Sequence, residues 1–358
     1  MDDVASRKRA RVDSNPVKRE TIDSDIRLVV YQNHPTLYHE DGNTIFSSAS
    51  TLFCVHRSVV SKNSPVLRAL LEEPERKTLR GMRHFEMEET AEDLEALLNV
   101  IYEGSRIDIP NITVESAPLL SSILRMCTKY KIDRPCNDII RRFRSEWPHK
   151  LADHDAKTAA LHEQQSRAAP YIVQNGVQVP NPQYDPNANE EDLIIHPGSV
   201  IALLRDCGYD TSEVLTPLFY ALSRGTWQFG GAAIGHHIAP LSHADIERLI
   251  IGIERIRSQH ADFVTQVPLL LAVPAPPHKL ECGAGVKAYW QSLAPSMLKA
   301  TNGSRQPVED WGSIISQARS RRIISGHGAC DGCERQVLAE MEKRRATLWA
   351  DMAKHFEL

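Results

Sequence analysis

The sequence has no long hydrophobic run and little net charge. No apolar segment approaches the roughly 20 residues that a membrane helix needs, so we expect no membrane partner. A formal net charge of -4 over 358 residues gives no chain-wide attraction to nucleic acid or anionic lipid. The first residues, MDDVASRKRARVD, contain no apolar core segment, which argues against a secretory signal. With 42% hydrophobic and 25% charged residues, the composition is instead that of an ordinary globular protein.

The usual motifs of catalysis and cofactor binding are also missing. There is no Gly-x-Ser-x-Gly turn and no Walker A loop, and the Asp, His and Ser residues follow no recognisable catalytic order. Gly283-Ala284-Gly285 lacks the preceding strand and the further glycine of a dinucleotide site. No repeat of fixed period, zinc-finger array or other DNA-reading helix is present. We therefore predict a protein that is not an enzyme, has no cofactor and binds no nucleic acid directly.

Cysteine is scarce and mostly scattered. The seven cysteines are odd in number, which favours reduced thiols over a disulfide framework. Cys330 and Cys333 form a Cys-x-x-Cys pair that could wrap one zinc ion, with Cys282, His278 and His327 as candidate further ligands by residue type. The favoured interpretation is two reduced thiols in a loop before the last helix. A zinc protein or an enzyme centred on this region is the alternative.

Residues 22–147 carry the patterns of an α+β fold. Alternating apolar residues over 26–30 predict a first strand, and residues 51–55 predict a second. The pair Asp41-Gly42 between them is typical of a hairpin turn. We therefore expect the second strand to be the return arm of a hairpin.

Helix signals follow these strands. Ser64-Pro65 predicts a helix start, because Ser caps free N–H groups and Pro suits the first helical position; the helix should end near Pro74. Residues 84–89 predict a short strand, and Thr90 to Asp93 resembles a capping box. Two more helices are expected, around 119–127 and from Pro135. The order predicts a small sheet packed on one side by helices.

The remaining chain divides into three further segments. Residues 1–21 are expected to be a disordered basic tail. Residues 148–191 predict a short helix around 154–165, followed by a flexible insertion rich in Pro, Asn, Gln and Gly. Residues 192–358 show helical periodicity and predict a mostly α-helical C-terminal region.

The tail contains a basic cluster of the kind that nuclear import receptors bind. A solvated tail without that role is the alternative. We expect a nuclear location, a cytoplasmic one, or both. The nuclear-signal candidates are Arg7, Lys8, Arg9, Arg11, Lys18 and Arg19.

This arrangement resembles the BTB/POZ domain over roughly residues 22–147. The segments that carry the likeness are SDIRLVV (24–30), LFCVHRSVVSKNSPVLRALLEE (52–73), HFEMEETAEDLEALLNVIYEG (84–104) and the helices at 121–130 and 137–144. The rest of the chain is similar to a fungal BTB lineage with a helical C-terminal region. There the likeness rests on IALLRDCGYDTSEVLTPLFYALSR (201–224) and on the basic start.

The resemblance implies roles for three residues. His56 should anchor the turn from strand to helix by hydrogen bonding, without catalysis. Asp25 and Arg57 should contribute to a charged pocket near a dimer interface. A buried Asp–Arg pair of that kind is costly to break singly. The segment between the two predicted strands, with His34, Pro35 and His39, is longer than a compact BTB hairpin needs, so we expect it to enlarge the hairpin or project as a loop.

The resemblance also implies a function in protein association. A BTB domain would form a homodimer or bind another protein, with Val59, Val60, Val66 and Leu67 divided between core and interface. Two narrower roles follow: an adaptor for a cullin-type ubiquitin ligase, and a transcriptional co-regulator suggested by the basic tail.

Overall fold

The structure, a computed structural model, contains a five-stranded sheet in its N-terminal part. It describes residues 30–74, 77–104, 112–174, 176–185, 195–224, 227–228, 236–237, 241–268, 281–298 and 306–358. The strands of the sheet are β1 (Gln32–Tyr38), β2 (Thr44–Ser48), β3 (Thr51–Val55), β4 (Thr78–Leu79) and β5 (Met82–Glu86). Their order across the sheet is β1-β3-β2-β5-β4. The strands β2 and β3 form an antiparallel hairpin, while β1 pairs with β3 and β2 with β5 in parallel.

Five helices pack with this sheet, and the predicted α+β class is confirmed. Ser64 accepts the N–H of Leu67 and Pro65 begins a helix, as its sequence predicts. Thr90 likewise accepts the N–H of Asp93 at the start of the next helix. The helices are α1 (Arg57–Asn63), α2 (Pro65–Glu72), α3 (Ala91–Tyr102), α4 (Ala117–Lys129) and α5 (Asp133–Glu146).

The predicted hairpin turn at Asp41-Gly42 is wrong. This turn connects β1 to β2, which are not neighbours in the sheet, and the hairpin turn lies at residues 49–50. Glycine is needed at position 42 because a Cβ there would lie 2.5 Å from the Sγ of Cys54 on β3. A close approach to the neighbouring strand, and not hairpin geometry, therefore accounts for this glycine.

The expected loop or enlarged hairpin around His34 is also wrong, because this segment is strand β1. His34 is buried, stacks on Phe53 with ring centroids 4.8 Å apart, and accepts the N–H of Leu37 at 3.1 Å. Of the first predicted strand, residues 26–29 lie outside the described residues, and Val30 lies in irregular structure before β1.

The C-terminal part is mostly helical, as predicted. Where we expected a flexible insertion, the described part contains an antiparallel hairpin, with strands β6 (Tyr171–Gln174) and β7 (Val177–Pro180). Two short strands, β8 (Trp227–Gln228) and β9 (His236–His237), pair in parallel. The helices are α6 (Leu151–Ala168), α7 (Pro197–Asp206), α8 (Ser212–Arg224), α9 (His243–Thr265), α10 (Cys282–Leu298), α11 (Pro307–Arg321), α12 (Ile323–Gly326), α13 (Asp331–Ala350) and α14 (Met352–His355). None of these described helices is long and apolar enough to cross a membrane.

One hydrophobic core joins the two parts. A single cluster of buried side chains includes Phe53 of the sheet, Leu124 of α4, Leu204 of α7 and Trp311 of α11. The helices α4 and α7 are in direct contact. The helical region therefore shares buried apolar surface with the sheet unit, which stabilises both.

Helix α6 is held by polar contacts from the far end of the chain. Arg345 of α13 binds both carboxylate oxygens of Asp155, and the Trp349 indole N–H donates to the His149 carbonyl at 2.7 Å. His154 contacts Glu309 of α11 at 2.9 Å. The helix that follows α5 is thus fixed by residues 155 to 200 positions later.

Candidate functional site

His56 lies where β3 passes into α1. Its backbone N–H donates to the Tyr102 hydroxyl at 2.9 Å, and that hydroxyl lies 3.0 Å from Nδ1 of the ring. Its Nε2 lies 3.0 Å from Oδ1 of Asp41. A neutral ring with its proton on Nε2 satisfies all three contacts, since the hydroxyl then donates to Nδ1. Both ring nitrogens are therefore occupied by contacts within the fold.

The electrostatics of this cluster fit a structural role. The hydrogen bond from His56 lowers the pKa of the exposed Asp41 carboxyl, and burial raises the pKa of Tyr102. No nucleophile is activated by these shifts. His39 completes the cluster, its ring centroid 4.7 Å from that of Tyr102. The sequence pattern did not connect Tyr102 or His39 with His56, because they lie far from position 56 in the chain. The anchoring role of His56 stays a prediction.

Arg57 begins α1, and its side chain is exposed in the single chain. The Arg57 backbone N–H donates to Oδ1 of Asn43 at 2.9 Å, so Asn43 caps this helix from a distance in sequence. Asp25 lies outside the described residues. The predicted charged pair of Asp25 and Arg57 therefore stays a prediction.

The helices α1 and α2 divide their valines and leucines between core and surface. Val60 and Leu67 are fully buried. Val59 and Val66 are half-buried and pack against the same core from its edge. Part of the apolar surface of α1 and α2 therefore faces away from the core of the single chain.

Strand β1 lies at one edge of the sheet. Its residues Gln32, Asn33, Pro35 and Thr36 are exposed. An edge strand offers unpaired backbone groups to another chain, and a proline within it removes one donor and limits nonspecific pairing. The edge strand and the half-buried valines are the described features of this unit that suit contact with a second protein.

The structure brings together the three cysteines that the sequence singled out. The Sγ atoms of Cys282, Cys330 and Cys333 all lie within 4.8 Å of one another. The His327 Nδ1 lies instead 2.9 Å from the Ile323 carbonyl oxygen, and this histidine is not part of the group. Residue 278 lies outside the described residues, as do the basic residues of 7–19.

Comparison with known proteins identifies one domain. A family model described as BTB/POZ domain matches residues 43–140, which is 98 of the 358 residues and runs from β2 into α5. No curated protein and no solved structure gives a match. A BTB/POZ domain is a protein–protein interaction module, and its family is generally non-enzymatic. The likeness to a fungal lineage stays a prediction.

Proposed function

We propose that this protein is a non-enzymatic interaction protein that associates through its BTB/POZ domain, in the first instance with a second copy of itself. The match of residues 43–140 to an interaction module carries this proposal. The β2–β3 hairpin, β5 and helices α1 to α5 lie wholly or largely within that range.

The surface of α1 and α2 supports self-association. Val59 and Val66 are only half-buried in the single chain, and covering their exposed area would be favourable by about 25 cal/mol per Å². Arg57 is exposed on the same helix as Val59 and could pair with an acidic group of a second chain. An isologous dimer would use this one patch on both subunits.

The solution mass of the full chain tests the proposal. Size-exclusion chromatography with light scattering should give about twice the 40.2 kDa of one chain. Val66→Asp should shift the mass towards that of a monomer, because a buried unpaired carboxylate is costly. Val177→Asp is the matched control, since this exposed valine lies in β7 outside the domain. A strict monomer at micromolar concentration would contradict self-association.

Two narrower functions are part of the same proposal. As an adaptor for a cullin-type ubiquitin ligase, the purified chain should retain a cullin in a pull-down, and failure with every cullin tested would remove this version.

As a transcriptional co-regulator, it would use the basic tail for nuclear entry. Deleting residues 7–19 should then shift the protein from nucleus to cytoplasm, and an unchanged distribution would contradict that idea.

A further inference from the structure

Three thiols converge from two helix starts in the C-terminal region. Cys282 is the first residue of α10, Cys330 precedes α13, and Cys333 lies in the first turn of α13. Their Sγ atoms all lie within 4.8 Å of one another. In a tetrahedral site with Zn–S bonds of about 2.3 Å, sulfur atoms lie about 3.8 Å apart. Side-chain movements of roughly 1 Å would therefore bring all three thiolates onto one zinc ion.

The backbone around the thiols is built for close approach. A Cβ on Gly285, in the first turn of α10, would lie 2.5 Å from the carbonyl oxygen of His327. Gly328 has a φ of +95°, which favours glycine. These two glycines let the loop that carries Cys330 lie directly against α10, so the thiols meet because of backbone packing.

A backbone donor and two helix ends favour negative charge at this point. The Cys330 N–H donates to the Sγ of Cys282 at 3.2 Å, and such a bond stabilises a thiolate. The N-terminal ends of α10 and α13 both lie at the cluster, where their dipoles also favour thiolates.

Without a cation the cluster cannot hold three thiolates. Cys282 and Cys333 are fully buried, so three thiolates within 4.8 Å of one another would be poorly solvated and would repel one another. A bound metal ion removes the cost of three neighbouring thiolates, because its positive charge compensates theirs and displaces their protons. Thiolate ligands favour a soft ion such as Zn²⁺ over Ca²⁺ or Mg²⁺.

We propose that Cys282, Cys330 and Cys333 bind one zinc ion as thiolates and thereby join the start of α10 to the start of α13. Among the described residues, the group comprises these three ligands, and Cys330 is the half-exposed one of the three. The role is structural, and it is independent of self-association by the BTB/POZ domain.

Metal analysis of the purified full chain is the first test. The chain is reduced, incubated with zinc, freed of excess metal and analysed by mass spectrometry for metal content. We expect about one zinc per chain, and loss of that zinc in Cys330→Ser and in Cys333→Ser. Cys207→Ser is the matched control, because this buried thiol lies at the end of α7 outside the cluster and its variant should keep the zinc. A wild-type chain without zinc, or with copper in its place, would overturn the proposal, as would full zinc retention in the Cys330→Ser/Cys333→Ser double variant.

A spectroscopic test uses only the wild-type chain, so its result does not depend on whether the variants fold. Cobalt added to the wild-type chain after zinc removal should give the near-ultraviolet absorption of thiolate-to-cobalt charge transfer. Chelation should lower the melting temperature, and zinc should restore it, since a ligand that binds only the folded state stabilises it. No cobalt–thiolate absorption, together with a melting temperature that chelation leaves unchanged, would overturn the proposal. Loss of two free thiols to a disulfide in the purified chain would overturn it too.

Discussion

Glu309 is the buried carboxylate that joins three helices, and its substitution should be among the most damaging polar changes in the chain. It lies in the first turn of α11, with its side chain 13% exposed. Its carboxylate lies 2.9 Å from Nε2 of His154 on α6 and 2.6 Å from Nη1 of Arg224 on α8. The hydroxyl of Tyr220, also on α8, donates to it at 2.5 Å.

The pKa of Glu309 gives the size of the effect. Burial by itself would raise this pKa, but the hydrogen bonds from His154 and Tyr220 and the charge of Arg224 outweigh burial and lower the pKa from 4.5 to about 2. Because the folded state binds the proton more weakly, the charged carboxylate stabilises the fold above pH 4.5, and this stability is lost as the pH falls towards 2. At about 1.4 kcal/mol per tenfold change in proton affinity, the contribution is about 3 kcal/mol at pH 7 and about 1.5 kcal/mol at pH 3.

The variant to make is Glu309→Gln, which keeps the size of the side chain and removes its charge. We expect it to lose about 3 kcal/mol of stability at pH 7, which corresponds to a melting temperature lower by about 4 °C for a chain of 358 residues. Thermal unfolding followed by far-ultraviolet circular dichroism measures the shift, and urea unfolding at pH 7 and pH 3 measures the free energies. The difference between wild type and variant should fall to about half at pH 3.

The matched control is Glu342→Gln. Glu342 is half-exposed on α13 and pairs with Arg319, so we expect a loss below about 1 kcal/mol that salt reduces further. A loss below about 0.5 kcal/mol for Glu309→Gln at pH 7 would refute this argument. So would a difference from wild type that is as large at pH 3 as at pH 7.

Three further substitutions test local packing, and the change in stability of each is measured from the midpoint of its unfolding in urea. His56→Ala removes the ring contacts to Tyr102 and Asp41 and should cost about 1–3 kcal/mol. Gly252→Ala would place a Cβ 2.0 Å from the Phe356 ring and should cost about 1–3 kcal/mol through overpacking. Ser64→Ala removes the acceptor of a helix N–H and a donor to a buried carbonyl, and should cost about 1–2 kcal/mol.

Each of these predictions has a contradicting outcome. Gly283→Ala, where the new methyl meets nothing within 4 Å, should be neutral or stabilising by up to about 1 kcal/mol; equal losses at positions 252 and 283 would contradict the steric argument. Thr90→Ala removes an exposed cap and should lower the free energy of unfolding by less than Ser64→Ala does; an equal or larger loss at Thr90 would contradict the argument from burial. A His56→Ala chain as stable as wild type would show that the ring contacts do not anchor the turn.

The sequence predicted the fold where the signals were local. Ser64-Pro65 and Thr90 marked helix starts because capping depends on residues a few positions apart. Strand β1 was missed because its parallel pairing with β3 is a nonlocal contact, and because His34 and Pro35 do not resemble residues of a strand. The turn at Asp41-Gly42 was misassigned because a glycine required by a neighbouring strand looks the same in sequence as one required by a hairpin.

At the candidate sites, too, the contacts between residues far apart in the chain could not be predicted from the sequence. Cys330 and Cys333 stood out by their spacing, but only the contact between α10 and the loop before α13 brings Cys282 to them across 48 positions. Glu309 carried no signal at all, because its partners come from helices elsewhere in the chain. Nonlocal polar contacts of this kind have no periodic pattern in a sequence.

The contacts of α6 also bear on how the chain is made. The ion pair between Asp155 and Arg345 cannot form until Arg345 has been synthesised, 190 positions later. The hydrogen bond from Trp349 to the His149 carbonyl cannot form until 200 positions after residue 149. At about 5–20 residues per second, a ribosome needs roughly 10–40 s to synthesise that interval. Residues 43–140 are synthesised before this interval begins, so the segment that matches the BTB/POZ domain is available to fold while the helical region is still incomplete. During that time the apolar faces of α7 and α8 lack their later partners, and we expect the nascent chain to need chaperones most in this interval.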